Sequence, residues 1–126
     1  MNFKRNFLII IALLVCCNSL YALTASDIIA YPVPFNPKKH NTLTIDIKPF
    51  GGLTGYSVNV SINVSIYDIN GDLIIKKSTF GHNIKWNGRN RSGRIVKPGL
   101  YILKVECEDY DTGYFVKKII RILIDY

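Results

Sequence analysis

The residues with the most evident chemistry are four cations within the segment Trp86–Tyr101, WNGRNRSGRIVKPGLY. Arg89, Arg91, Arg94 and Lys97 are the candidate contacts for an anion such as a phosphate or an acidic polysaccharide. A phosphate loop places its glycines between a strand and a helix N-terminus, where free amides face the anion. Here the glycines run from one predicted strand into another, with neither GxxxxGK[ST] nor GxGxxG spacing. A solvated loop is therefore the favoured interpretation, and anion binding is kept as the alternative.

The same segment is explained more completely as a connection between two strands. Asn87-Gly88 and Ser92-Gly93 supply positions where a positive φ costs little, and Pro98-Gly99 sets a turn before the next strand. Trp86 and Tyr101 are then predicted to anchor the two ends of the connection in the core. Nucleic-acid binding is not expected, because it needs stacking aromatic rings on the surface beside the cations.

A second motif, YDINGD, has carboxylates at a spacing that suggests calcium. Asp68, Asn70 and Asp72 stand at the first three ligand positions of an EF-hand loop. The glycine of such a loop is misplaced, however, and no Glu closes it. Asn70-Gly71 between two strands is instead a strong hairpin turn, so no metal is expected.

Catalytic residues do not form a recognisable set. The two histidines, His40 and His82, each lie near a predicted turn, and no nucleophile is paired with a base and an orienting carboxylate. Cys107 alternates with apolar residues along a predicted strand, which indicates a buried and unreactive thiol. We therefore predict no enzymatic activity and no cofactor.

The elements that position these residues are strands. Ser57–Ile69 alternates apolar and polar residues with a period of two, as in a strand with one buried face. Phe115–Ile124 is apolar on both faces, which predicts a central or long strand with a bulge at Lys117-Lys118 as an option. Further short strands are predicted at Thr42–Lys48, Leu73–Ser78, Asn83–Trp86 and Tyr101–Cys107. Because no segment carries a helical stripe, the predicted fold is an all-β antiparallel sandwich.

The N-terminus has the layout of a signal peptide, which we assign to residues 1–22. A basic start at Lys4 and Arg5 precedes an apolar run, Phe7–Cys17, that is short for a membrane span. Cleavage after Ala22 is expected. The alternatives are cleavage after Ala25, an uncleaved anchor and lipidation at Cys17. Residues 23–126 are then long enough for one domain.

The sequence contains four further diagnostic segments, in the order YPVPFNPKK, VSIYDINGDLI, WNGRNRSGRIVKPGLYIL and VKKIIRI. They resemble the C-terminal domain of flagellar hook-capping proteins (the FlgD Ig-like family) and the C-terminal sorting domains of type IX secretion cargo. The similarity covers about residues 31–126, and Val33 departs from it by replacing the usual Asn.

The resemblance implies an Ig-like sandwich of about seven strands and gives its residues structural roles. Tyr31, Trp86 and Tyr101 would be core anchors, and the matching glycines would be turn residues. The signature residues carried over are Tyr31, Pro34, Phe35, Asn36, Pro37, Tyr67, Asp68, Gly71, Trp86, Gly88, Gly93, Gly99 and Tyr101.

We expect an exported, non-enzymatic module that binds a protein or an envelope component in the periplasm, at the cell surface or outside the cell. Strand addition at Leu73–Phe80 or Tyr114–Ile124 is one way to bind. The alternatives are a sorting or attachment signal, and a binder of anionic polymer with a steep salt dependence. Membrane contact is expected only through an uncleaved signal or Cys17. Since the domain directly follows the signal, with no passenger between them, neither family role is expected to transfer unchanged.

Overall fold

The computed structural model describes residues 28–48, 59–111, 113 and 115–126. Within these ranges the chain forms strands and no helix that could cross a membrane. The strands are β1 (Ile28–Tyr31), β2 (Leu43–Ile47), β3 (Val60–Asp68), β4 (Leu73–Phe80), β5 (Asn83–Trp86), β6 (Gly99–Asp109) and β7 (Phe115–Ile124). The predicted signal segment, residues 1–22, and the lipidation site at Cys17 lie outside the described residues.

The strands form two antiparallel sheets that pack face to face. One sheet has the order β1-β2-β5 and the other has the order β4-β3-β6-β7. This confirms the predicted all-β antiparallel sandwich of about seven strands.

The core lies between the sheets and is built by period-two alternation. In β3 the inward residues Val60, Ile62, Val64 and Ile66 are buried, and β2 and β6 bury alternate residues in the same way. Burial of each large aliphatic side chain stabilises a fold by about 1.5–3 kcal/mol relative to exposure. The core is therefore held by packing, with Cys107 buried as a free thiol.

The structure corrects the prediction for the last strand. β7 has the predicted bounds and, with ten residues, is a long strand as one of the two alternatives held. It is not central, because among the described strands β6 is its one neighbour in that sheet. Its outward residues Ile119 and Leu123 are 52% and 39% exposed, so apolar content on both faces did not mean burial on both faces. Pairing with β6 is continuous through Lys117 and Lys118, which excludes a bulge there. The register instead shifts between β3 and β4, at Ile66/Tyr67.

β1 is a strand that the sequence did not predict. It pairs with β2 from Ile28 opposite Ile47 to Tyr31 opposite Thr44. Four residues are too few to show a clear alternation, and the burial pattern becomes recognisable only beside its partner.

Two lysines, which we call the edge lysines, join the sheets at the two open sides of the sandwich. Lys118 of β7 points inward, and its Nζ donates to the carbonyl of Ile28 in β1 at 2.7 Å. Lys77 of β4 lies in the same way at the opposite edge, and its Nζ donates to the carbonyl of Lys85 in β5. Inward-pointing charges on edge strands oppose the addition of another strand, because the new strand would bury the charge.

Candidate functional site

The opening motif, residues 31–37, ties the start of the domain to its last strand. Phe35 is fully buried and forms a parallel bridge with Ile124. Its N–H donates to the carbonyl of Leu123 at 2.8 Å, and its own carbonyl accepts from the N–H of Asp125 at 3.1 Å. The motif therefore covers one end of the β7 edge with backbone hydrogen bonds.

Asn36 and His40 shape the turn that follows Phe35. The side-chain oxygen of Asn36 accepts the N–H groups of Lys38 and Lys39 at 2.9 and 3.0 Å. His40 accepts the Asn36 N–H through Nδ1 at 3.1 Å, and its ring stacks on Phe35 at a centroid distance of 6.2 Å. His40 therefore stabilises the turn through a hydrogen bond and a ring contact, and its isolated position in the sequence did not indicate this role.

The structure contradicts one core assignment. Tyr31 is 46% exposed, on the outer face of β1 opposite Thr44. The alternation of β1 places Ile28 inside, so Tyr31 points outward. Phe35 is the core aromatic residue of this motif.

Phe35, Trp86 and Tyr101 form an aromatic cluster at this end of the core. The ring centroid of Trp86 lies 6.1 Å from that of Phe35 and 6.3 Å from that of Tyr101. The Trp86 side chain is buried, with 1% exposure. Both polar tips hold the connection between β5 and β6: Trp86 Nε1 donates to the carbonyl of Arg89 at 2.9 Å, and Tyr101 OH donates to the carbonyl of Lys97 at 2.7 Å. Burial, and secondly the negative charge of Asp68, raise the pKa of Tyr101.

Two glycines of this connection have similar backbones and different surroundings. Gly88 and Gly93 have φ values of 74° and 78°, where a side chain is strained. A Cβ on Gly88 would lie 2.7 Å from Cγ of Pro37, whereas a Cβ on Gly93 would meet no atom within 4 Å. The opening motif and the β5–β6 connection are therefore in direct contact at Gly88. The remaining signature glycines, Gly71 in the β3–β4 turn and Gly99 at the start of β6, would each have open space around a Cβ.

The four candidate anion contacts, Arg89, Arg91, Arg94 and Lys97, are all exposed on this connection. Arg89 is partly committed to the loop itself, because its Nη1 donates to the carbonyl of Gly93 at 2.8 Å. Anion binding by this loop stays a prediction.

Lys38 and Tyr126, which sequence reasoning missed, meet at the same end of the sandwich. The Lys38 ammonium lies 4.3 Å from the ring centroid of Tyr126, and Tyr126 OH donates to the carbonyl of Val96 at 2.9 Å. Spacing gives no signal for this contact, because the two residues are far apart in sequence.

The carboxylate at the candidate calcium loop is engaged by its own turn. Asp68 Oδ1 accepts the N–H groups of Asn70 and Asp72, both at 2.9 Å. Over the described residues, no group of three or more His, Cys, Asp and Glu side chains is placed to hold a metal ion. Cys107 is 1% exposed, and burial raises its pKa to about 12.

The two sheets, closed at one end by the opening motif and the β5–β6 connection, define an antiparallel sandwich of the Ig-like class. The family model of the secretion system C-terminal sorting domain matches residues 30–122. The chain belongs to this family, which confirms the resemblance seen in the sequence. It is a secretion-related, non-enzymatic module of an exported protein.

Two solved structures from Porphyromonas gingivalis share the fold. One is PorZ, described as an essential bacterial surface component of the type-IX secretion system, with 24% identity and a TM-score of 0.54 over 80% of this chain and 12% of that chain. The other is dimeric latent PorU, with 19% identity and a TM-score of 0.55 over 78% of this chain and 9% of that chain. The chain thus spans about a tenth of the length of these proteins. No curated protein matches it.

Proposed function

We propose that this domain is a sorting signal that directs the protein carrying it through a type IX secretion system to the cell surface or the medium. The observation that carries this proposal is the extent of the family match. Residues 30–122 run from β1 into β7. The match therefore includes strands of both sheets, the opening motif and the β5–β6 connection. The domain would act as a folded ligand of a protein in the secretion machinery.

The side chains support binding over catalysis. Among the described residues, His40 is engaged in the turn after Phe35, and Cys107 is a buried thiol with a raised pKa. Trp86 and Tyr101 hold the β5–β6 connection, because the indole N–H and the phenol O–H each donate a hydrogen bond to a backbone carbonyl. A rigid surface presented to a partner is the use that this arrangement supports.

The test inserts a fluorescent reporter between residues 22 and 28 of the full chain, in a host with a type IX system and in an isogenic strain without it. We expect the reporter outside the outer membrane in the first strain and inside the periplasm in the second. Equal distribution in the two strains would show that the domain is not read by this system.

A folded but undelivered domain must be distinguished from an unfolded one. Trp86→Ala is the folding-defective control, and Tyr31→Ala, which removes an exposed aromatic ring, is its matched partner. Protease resistance of the domain is measured for each variant in the same fractions. Retention of a protease-resistant wild-type domain in the competent strain would contradict the proposal.

A further inference from the structure

The outer face of the four-stranded sheet carries exposed apolar and basic side chains side by side. The apolar residues with large exposure at one end of this face are Leu73, Leu100, Ile119 and Leu123. The basic residues around them are Lys76, Lys104, Lys117 and Arg121. We call this surface the apolar–basic face.

Strand register places the two kinds of residue in contact distance of each other. Leu100 of β6 is opposite Leu123 of β7, which joins two exposed leucines across neighbouring strands. Ile119 of β7 is opposite Lys104, and the next strand places Lys104 opposite Ser65. Directly opposite residues in a sheet have Cβ atoms about 4.5–5.5 Å apart. Arg121 lies between Ile119 and Leu123 on the outward face of β7, so cations stand beside and between the apolar side chains.

The exposure of this centre is high for residues in regular strands. Leu100 is 50% exposed directly opposite Leu123, and Ile119, 52% exposed, lies two outward positions along β7 from Leu123. Contiguous exposed apolar groups with a polar rim mark interaction sites in soluble proteins. The centre therefore has the arrangement of a binding surface.

The charge of the face is positive where the apolar residues lie. Glu106 is already paired with Lys104, with 2.9 Å between the carboxylate and the ammonium. The hydrogen bond from Lys104, together with the charges of Lys117 and Lys76, lowers the pKa of Glu106. Three cations thus surround this carboxylate, and their excess charge is available to a partner.

We propose that the apolar–basic face binds a protein surface that presents Asp or Glu side chains around an apolar centre. A second copy of this chain is a poorer occupant, because its equivalent face would oppose the same cations. An anionic membrane is also poorer, because Glu106 and Glu108 lie on this face and would be repelled by it. A structured protein can match both signs of charge.

The edge lysines explain why the face, and not an edge, is the favoured surface. Lys77 and Lys118 place an inward ammonium on each edge strand of this sheet. Strand addition at either edge would have to cover the lysine of that edge, so a partner that avoids this penalty approaches the face. This inference concerns what the domain binds and does not rest on the proposed sorting role.

The test uses the full chain in its producing organism, with the photo-crosslinking amino acid benzoylphenylalanine at Ile119. Ile29, an isoleucine 36% exposed on the outer face of the other sheet, is the matched control position. We expect cross-links from position 119 to one protein, in a segment that combines acidic and apolar residues, and about tenfold fewer from position 29.

Charge reversal makes the result specific. Lys76→Glu with Arg121→Glu should reduce the cross-links from position 119 about tenfold. The control, Lys48→Glu with Lys85→Glu, changes the net charge equally on the other sheet and should leave them unchanged. Reversing the acids of the cross-linked partner segment to Lys should then restore binding to the first variant.

Several outcomes would overturn the proposal. These are cross-links to a second copy of the chain, cross-links to lipid or polysaccharide alone, equal cross-linking from positions 119 and 29, and insensitivity to charge reversal. Protease resistance checks that each variant is folded, and Lys76→Gln with Arg121→Gln replaces the reversal if that variant is not. Reporter delivery is a separate measurement, so failure of one proposal is distinguishable from failure of the other.

Discussion

Replacement of Gly88 by Ala tests the contact that joins the opening motif to the β5–β6 connection. Gly93→Ala is the matched control, because the two glycines have φ values of 74° and 78°. An alanine in this left-handed conformation costs about 1–2 kcal/mol at either site. At Gly88 the new Cβ would also lie 2.7 and 2.8 Å from Cγ and Cβ of Pro37 and 3.1 Å from Cε1 of Phe35. Overpacking of this kind costs about 1–3 kcal/mol.

Gly88→Ala should therefore lower the free energy of unfolding by about 2–5 kcal/mol, and Gly93→Ala by about 1–2 kcal/mol. Urea unfolding followed by fluorescence measures both, because Trp86 is the one tryptophan of the sequence and lies in the adjacent cluster. The midpoint should fall with little change in slope.

A double-mutant cycle with Pro37→Gly isolates the clash. Pro37→Gly removes both ring carbons that the new Cβ would meet, so Gly88→Ala should cost less in that background than in the wild type. Equal effects of Gly88→Ala and Gly93→Ala, or strict additivity with Pro37→Gly, would refute the close approach of the two segments.

Three further predictions concern side chains with defined partners. Trp86→Ala should lower the free energy of unfolding by about 3–5 kcal/mol through a core cavity, and Tyr31→Ala by about 1 kcal/mol or less; calorimetry of both variants tests this order, and equal losses would contradict it. Burial raises the pKa of Cys107 from 9.0 to about 12, so the native state holds this proton more tightly and its stability falls as pH rises from 9 towards 12. The urea midpoint should show this fall, and Cys107→Ala should remove part of it; identical pH slopes would argue against a buried thiol. Asp68→Ala leaves two turn N–H groups without their acceptor and should cost about 1 kcal/mol, whereas an unchanged melting temperature would show that the turn does not need the carboxylate.

The sequence predicted the strands that show period-two alternation and missed what depends on neighbours. β3 and β5 are examples, since alternation in one strand is a local property. The position of β7 at an edge is not local: its outward Ile119 and Leu123 have the composition of a buried face. The strand order of the described residues places β7 at the edge, and the burial of the folded domain shows that these outward side chains are exposed.

The same limit explains the aromatic residues of the opening motif. Tyr31 and Phe35 are both plausible core residues by type, and only the short strand β1 decides that Tyr31 points outward. Tertiary packing against residues 123–125, far along the chain, then fixes Phe35 inside.

The edge lysines show that two adjacent, identical residues can have different roles in a strand. Both occur in Lys-Lys pairs, 76–77 and 117–118, which the sequence presents as two equal charges. Alternation sends one lysine of each pair to the outer face and the other inward to a carbonyl of the opposite sheet. Their different roles follow from phase within the strand, and the phase is set by the neighbouring apolar residues.

The bridge between Phe35 and residues 123–125 also bears on when the domain folds. The bridged residues are in contact in space but lie near the two ends of the described sequence. Domains dominated by pairings between residues so distant in sequence fold in about milliseconds to seconds. The opening motif cannot reach its native position until β7 has been synthesised. An incompletely synthesised domain therefore has neither its last strand nor the backbone partners of Phe35, so the sandwich closes only after the chain has been made through residue 125.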